Sequence, residues 1–274
     1  MFSIIKFEWR RMLHSRSFLL ALLISCGMAG IAAKEQFNIY CDGVDHISLF
    51  YRWLPSGALS FGANYFYIII PAICALGFSH SLCTDRKSGY WNQICTRVAK
   101  KHYFAAKYLI SFFSGGILFS AALIFHFLLL SCFMKVTLPD PASLVTMMNP
   151  FRFASKLFFT YPIFWSALWC TVTFIWGGIM SCMGTVIGMF TEKASVSVIL
   201  PFLLFVCQSI AATYLQYRTR ITISSHPLAL GWTELIRAES ASVAPTDYLL
   251  LTQLVLFLIV TFVYSWRAWR YEGL

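Results

Sequence analysis

The side chains able to do chemistry in this chain are scattered. Its six histidines, at positions 14, 46, 80, 102, 126 and 226, form no HExxH pattern or other ligand spacing, so no zinc site is expected. None of the nine cysteines forms a CxxC pair. Cys26, Cys74, Cys83, Cys132, Cys170, Cys182 and Cys207 fall within apolar runs or at their ends, where cysteine serves as a small core residue, and Cys41 has no evident partner. A GxxxxGK[ST] phosphate loop is missing, so the chain does not cradle a nucleotide by that route. Ser60, in Gly57-Ala-Leu-Ser60-Phe-Gly62, misses the GxSxG spacing of a nucleophile elbow. His126, the one histidine well inside an apolar run, is expected to hydrogen-bond a neighbouring helix. Catalysis by this chain alone is not expected, and it holds no cofactor of its own.

The carboxylates carry a second message. Glu8, Glu35, Asp42, Asp45, Asp85, Asp140, Glu192, Glu234, Glu239, Asp247 and Glu272 all stand outside the long apolar runs or at their edges. Proton- or sodium-coupled transport ordinarily keeps a carboxylate inside the membrane. None is expected here, so the energy for any transport would come from another subunit.

The 274 residues are 59% hydrophobic and 12% charged, with a mean hydropathy of +0.70, which is too apolar for a soluble domain. A helical span needs about 20 mostly apolar residues. Six segments qualify: Ser17–Ala33, Gly62–Cys83, Phe104–Met134, Phe158–Phe190, Ser195–Gln216 and Tyr248–Trp266. The runs are continuously apolar and do not alternate, which argues against a β-barrel. The fold class expected is therefore all-α integral membrane, with six transmembrane helices preceded by an N-terminal amphipathic interfacial helix. Residues 1–16 form that helix; 17–274 form the transmembrane domain, with a cytoplasmic coupling loop at 84–107. The first apolar run lacks the cleavage site of a signal peptide.

Lys6, Arg10, Arg11, Arg16, Arg86, Lys87, Arg97, Lys100, Lys101, Lys107, Lys193, Arg267 and Arg270 fall on the side of the termini, the larger share of the basic residues. The positive-inside rule then places both termini in the cytoplasm of a cell-membrane protein. The net charge of +10 flanks apolar spans, so it reads as attraction to anionic lipid and not to nucleic acid.

At 100° per residue, Met1, Phe2, Ile5, Trp9, Met12 and Leu13 share one arc of residues 1–16, opposite Lys6, Arg10 and Arg11. This is the pattern of a helix lying on the membrane surface; a cytoplasmic extension of the first span is the alternative. Within 84–107, Thr84-Asp85 can start a helix. Tyr90, Trp91, Ile94 and Val98 then share a face ringed by Arg86, Lys87, Arg97, Lys100 and Lys101, suited to lipid or to a groove on a cytoplasmic partner. Gly177, Ser181, Gly184 and Gly188 make a small-residue ridge for close helix packing, within the chain or between subunits. Gly115-Gly116 would likewise admit a neighbour or a bend.

Three stretches resemble the membrane subunit of ABC-2 type transporters. Lys6-Phe7-Glu8-Trp9-Arg10-Arg11, running on to Leu20, is similar to the family's elbow helix entering span one. Asp85-Arg86-Lys87-Ser88-Gly89, followed by Thr96-Arg97 and Ala106-Lys107-Tyr108, resembles its coupling loop. Gly184 through Gly188 to Lys193, then Pro201, is similar to its turn between spans four and five. The resemblance implies a dimer with a second six-span subunit, identical or not, and two cytoplasmic ABC ATPase subunits that bind the ATP and Mg. It implies ATPase coupling through Arg86, Tyr90, Trp91, Ile94, Arg97 and Lys100, with the interfacial helix contributing Phe2, Ile5, Trp9, Arg10 and Leu13. In the family the segment between spans five and six often carries short extracellular helices, here Leu228–Ala238. The expected function is export of a hydrophobic or antimicrobial peptide or an amphiphile. The alternative is an immunity or sensing subunit that binds a membrane-active peptide without net transport.

Overall fold

The computed structural model describes residues 2–41, 48–56, 61–139, 154–219 and 247–272. Among them every regular element is a helix: α1 (Phe2–Leu13), α2 (Arg16–Cys41), α3 (Leu49–Arg52), α4 (Phe61–Phe78), α5 (Ser81–Lys87), α6 (Tyr90–Cys95), α7 (Lys100–Phe133), α8 (Ser155–Thr160), α9 (Pro162–Phe190), α10 (Ala194–Thr219) and α11 (Asp247–Glu272). Among the described residues six stretches are long and apolar enough to cross a membrane: Arg16–Asn38, Phe61–Lys87, Lys100–Phe133, Pro162–Phe190, Ala194–Tyr214 and Leu250–Arg270. This agrees with the all-α class and the six apolar segments read from the sequence.

Local chemistry sets the breaks. After α1 the Ser15 hydroxyl accepts from the Phe18 N–H at 3.2 Å, capping the start of α2. Gly89, at φ 73°, turns the chain between α5 and α6 in a conformation that suits glycine. Thr84 and Asp85 do not start a helix as expected; they lie inside α5. Pro162 opens α9, a position that wastes no hydrogen bond, and separates it from α8. Pro71 and Pro201 sit inside α4 and α10.

At the centre α7 and α9 run antiparallel with Gly115 against Gly177, so close that a Cβ on either would collide with the other's carbonyl. One turn away, Ser111 Oγ lies 2.9 Å from Ser181 Oγ and also meets Thr185 Oγ1. Such hydroxyl pairs hold helices together where lipid offers no competing partner. α4 and α9 are largely buried, whereas α2, α10 and α11 turn most of their apolar residues outward. Leu23, Leu258 and Phe262 are 70%, 56% and 72% exposed. Apolar exposure on this scale along helices of spanning length suits a hydrocarbon solvent.

Candidate functional site

Among the described residues the ion pairs gather at the end of the bundle where α1, α5 and the start of α7 meet. α1 buries Ile4, Glu8 and Met12 along one face, and Arg11 follows Glu8 by one turn. α5 supplies Asp85, and α7 supplies Tyr103 and Lys107, four residues apart on one side of the helix. Lys107 Nζ donates to Glu8 Oε2 at 2.7 Å and lies 2.8 Å from Asp85 Oδ2. The Arg11 guanidinium forks onto Asp85, with Nη1 donating to Oδ2 at 3.0 Å and Nη2 to Oδ1. Tyr103 donates its hydroxyl to Asp85 Oδ2. Arg11 Nη1 also stands 3.6 Å from Glu8 Oε1. The side chains of Glu8, Asp85 and Lys107 are wholly buried.

Two carboxylates face two cations, so the cluster is neutral. Aromatic rings close it: Lys107 Nζ lies 5.0 Å from the Phe78 ring centroid, and Arg11 lies 5.3 Å over Tyr90. Burial opposes the Arg11 charge, but the hydrogen bonds and charge of Asp85, helped by Glu8, outweigh it and raise the Arg11 pKa above its ordinary value. For Tyr90, burial and then the Glu8 charge push the phenol pKa up. A buried pair of this kind is costly to assemble and far costlier to break on one side. It ties three elements into one register. Among the described residues no group of three or more His, Cys, Asp or Glu could hold a metal ion.

A second joint adjoins the first. Arg86 Nη1 donates to Met189 O at 3.2 Å and to Gly188 O at 3.5 Å, and Cys83 Sγ lies 3.5 Å from Gly188 O and from Thr191 O. These contacts satisfy the carbonyls that a helix C-terminus leaves open. The Trp91 ring lies 5.2 Å from Tyr103 and 5.0 Å from Phe104. Ile94 packs on the same small core of Leu82, Tyr103, Phe104, Met189 and Tyr264. Segment 84–107 thus grips α7, the end of α9 and α11 together.

The expected coupling residues divide accordingly. Arg86, Tyr90, Trp91 and Ile94 turn toward the body of the protein, Lys100 is half-buried, and Arg97 is exposed. On α1, Ile5 and Trp9 are half-buried against the core, with Trp9 5.8 Å from Phe113, while Arg10 and Leu13 are exposed. The Phe2 side chain, that of Cys41 and the segment Leu228–Ala238 lie outside the described residues. The small-residue ridge is used within the chain: Gly177 meets Gly115, Ser181 meets Ser111, and Gly184 and Gly188 meet Ser197.

One further expectation is corrected. Among the described residues neither ring nitrogen of buried His126 has a hydrogen-bond partner, so the expected bond to a neighbouring helix is not found there. Glu8 and Asp85 do stand at the edges of apolar runs, and both are buried there in one network. Sequence reading missed the grouping of Glu8, Arg11, Asp85, Tyr103 and Lys107. The available signal was two spacings, Glu8 to Arg11 and Tyr103 to Lys107, each putting two polar groups on one helix face.

No protein family and no curated protein matches this chain.

Proposed function

We propose that this chain is the membrane-embedded subunit of an ATP-driven exporter of ABC-2 type, moving a hydrophobic peptide or an amphiphile out of the cell. Separate cytoplasmic ATPase subunits supply the energy, and a second six-span subunit completes the path. The basic end of the bundle faces the cytoplasm, with both termini, and α1 lies along the membrane surface there.

The observation that carries this reading is the double joint at that end. The neutral four-charge cluster fastens α1, α5 and α7, and Arg86 fastens α5 to the end of α9. A push on the short α5–α6 segment therefore reaches the α7–α9 pair as a rigid displacement. The buried carboxylates are already paired with Lys107 and Arg11, which suits a structural joint better than an ion-coupling site. Docking falls to the exposed residues Arg97 and Lys101, since Trp91 and Ile94 serve the internal core.

Arg97→Glu with Lys101→Glu should abolish co-purification with the ATPase and its vanadate-sensitive hydrolysis, while the melting temperature of the isolated chain stays unchanged. Wild-type complex in inverted vesicles should accumulate peptide or amphiphile on addition of ATP. Hydrolysis stimulated by peptide without accumulation would favour the sensing function instead. Uphill flux by the isolated chain on an ion gradient would refute the proposal.

A further inference from the structure

A cavity of about 1020 Å³ opens between α5–α6 and the turn from α9 into α10. Three cations line it, Arg86, Lys87 and Lys193, against one carboxylate, Glu192, with the Trp91 ring and the Ser195 hydroxyl on its wall. Arg86 is held in place by the α9 carbonyls it caps. Lys87 and Lys193 are exposed, and among the described residues neither forms an ion pair with Glu192 or any other carboxylate. The rim therefore carries more positive than negative charge, with Lys87 and Lys193 open to a ligand.

Next along α10 the surface changes character. Ile199, Leu200, Leu203 and Leu204 are exposed, between 36% and 51% each, and begin one turn beyond Ser195. A basic cavity continuous with an apolar helix face is complementary to a molecule with an anionic head and hydrocarbon tails.

We propose that this cavity binds a phosphoryl group, that of an anionic phospholipid, with the phosphodiester at Lys87 and Lys193 and the acyl chains along α10. The apolar continuation favours the lipid over a soluble phosphate. A lipid held there would bridge α5 and α10, two elements that otherwise touch sparingly. The site needs only the membrane setting of the fold and is independent of any ATPase.

The test is native mass spectrometry of the purified full chain released from detergent with added phosphatidylglycerol, phosphatidylcholine or inorganic phosphate alone. One phosphatidylglycerol should be retained in preference to phosphatidylcholine, and millimolar phosphate should not displace it. Lys87→Gln with Lys193→Gln should lower its retention at least about tenfold without changing the melting temperature measured without added lipid. Both positions are exposed, so folding is preserved. Equal retention of the two lipids, or undiminished retention by the double variant, would overturn the assignment. Displacement by phosphate would assign the cavity to a soluble phosphate and overturn the lipid.

Discussion

Lys107 shows how one side chain can set a register. It pairs with Glu8 across 99 positions of sequence, and with Asp85 from a different helix. Lys107→Met would leave Glu8 and Asp85 facing Arg11 alone, so one buried negative charge stands uncompensated. Breaking a buried pair on one side costs about 3–5 kcal/mol, and a loss of that order is expected in thermal unfolding of the detergent-solubilised chain. Adding Glu8→Gln restores neutrality, because Asp85 keeps Arg11. The double variant should recover most of the loss, and additive losses would show that the two do not interact. In the sequence, Lys107 follows Ala105 and Ala106 at the start of an apolar run and reads as one more interfacial cation. Its burial follows from the path of α1, which no local pattern reveals. His126 makes the converse point: a polar residue in an apolar run implies a partner, yet among the described residues none hydrogen-bonds its ring.

Helix boundaries were largely legible, because they depend on nearby residues. The fourth apolar segment, expected from Phe158, is divided at Tyr161, where α8 ends and Pro162 opens α9. The Thr84-Asp85 start was not found, because Ser81 and Leu82 already continue the helical path from α4 after a turn at Ser79–His80. Glycines show what a helix needs from its neighbour. Gly115 leaves no room for a methyl group against α9, whereas a Cβ on Gly27 in α2 would meet nothing within 4 Å. Gly115→Ala should therefore destabilise the protein by roughly 1–3 kcal/mol through overpacking. Gly27→Ala should leave it unchanged or raise its stability by up to about 1 kcal/mol, since alanine is the better helix former. Thermal melts of the two variants, measured in one detergent, would check the contrast. If both behaved alike, the α7–α9 approach would not be the close packing described.

For the whole molecule, the joined elements gather Arg10, Arg11, Arg86, Lys87, Arg97, Lys101, Lys193 and Arg267 at one end of the bundle, the end that the proposed orientation puts in the cytoplasm. Lys135, beyond the far end of α7, marks the other. In a cysteine-free background, an impermeant maleimide added to intact cells should label Lys135→Cys and leave Arg97→Cys untouched until the membrane is opened. The reverse pattern would invert the proposed orientation and remove the site of ATPase contact.

Composition and apolar run length by themselves determined the class of this protein: six helices that suit a membrane. Those properties are local sums, and each run can be read without knowing where the others go. The tertiary structure alone decided that Glu8, Asp85 and Lys107 are buried together with Arg11 at the edge of their site, and that Trp91 and Ile94 face inward. The reason is that charge pairing acts through space: groups far apart in sequence meet only after α1, α5 and α7 have been brought together by packing.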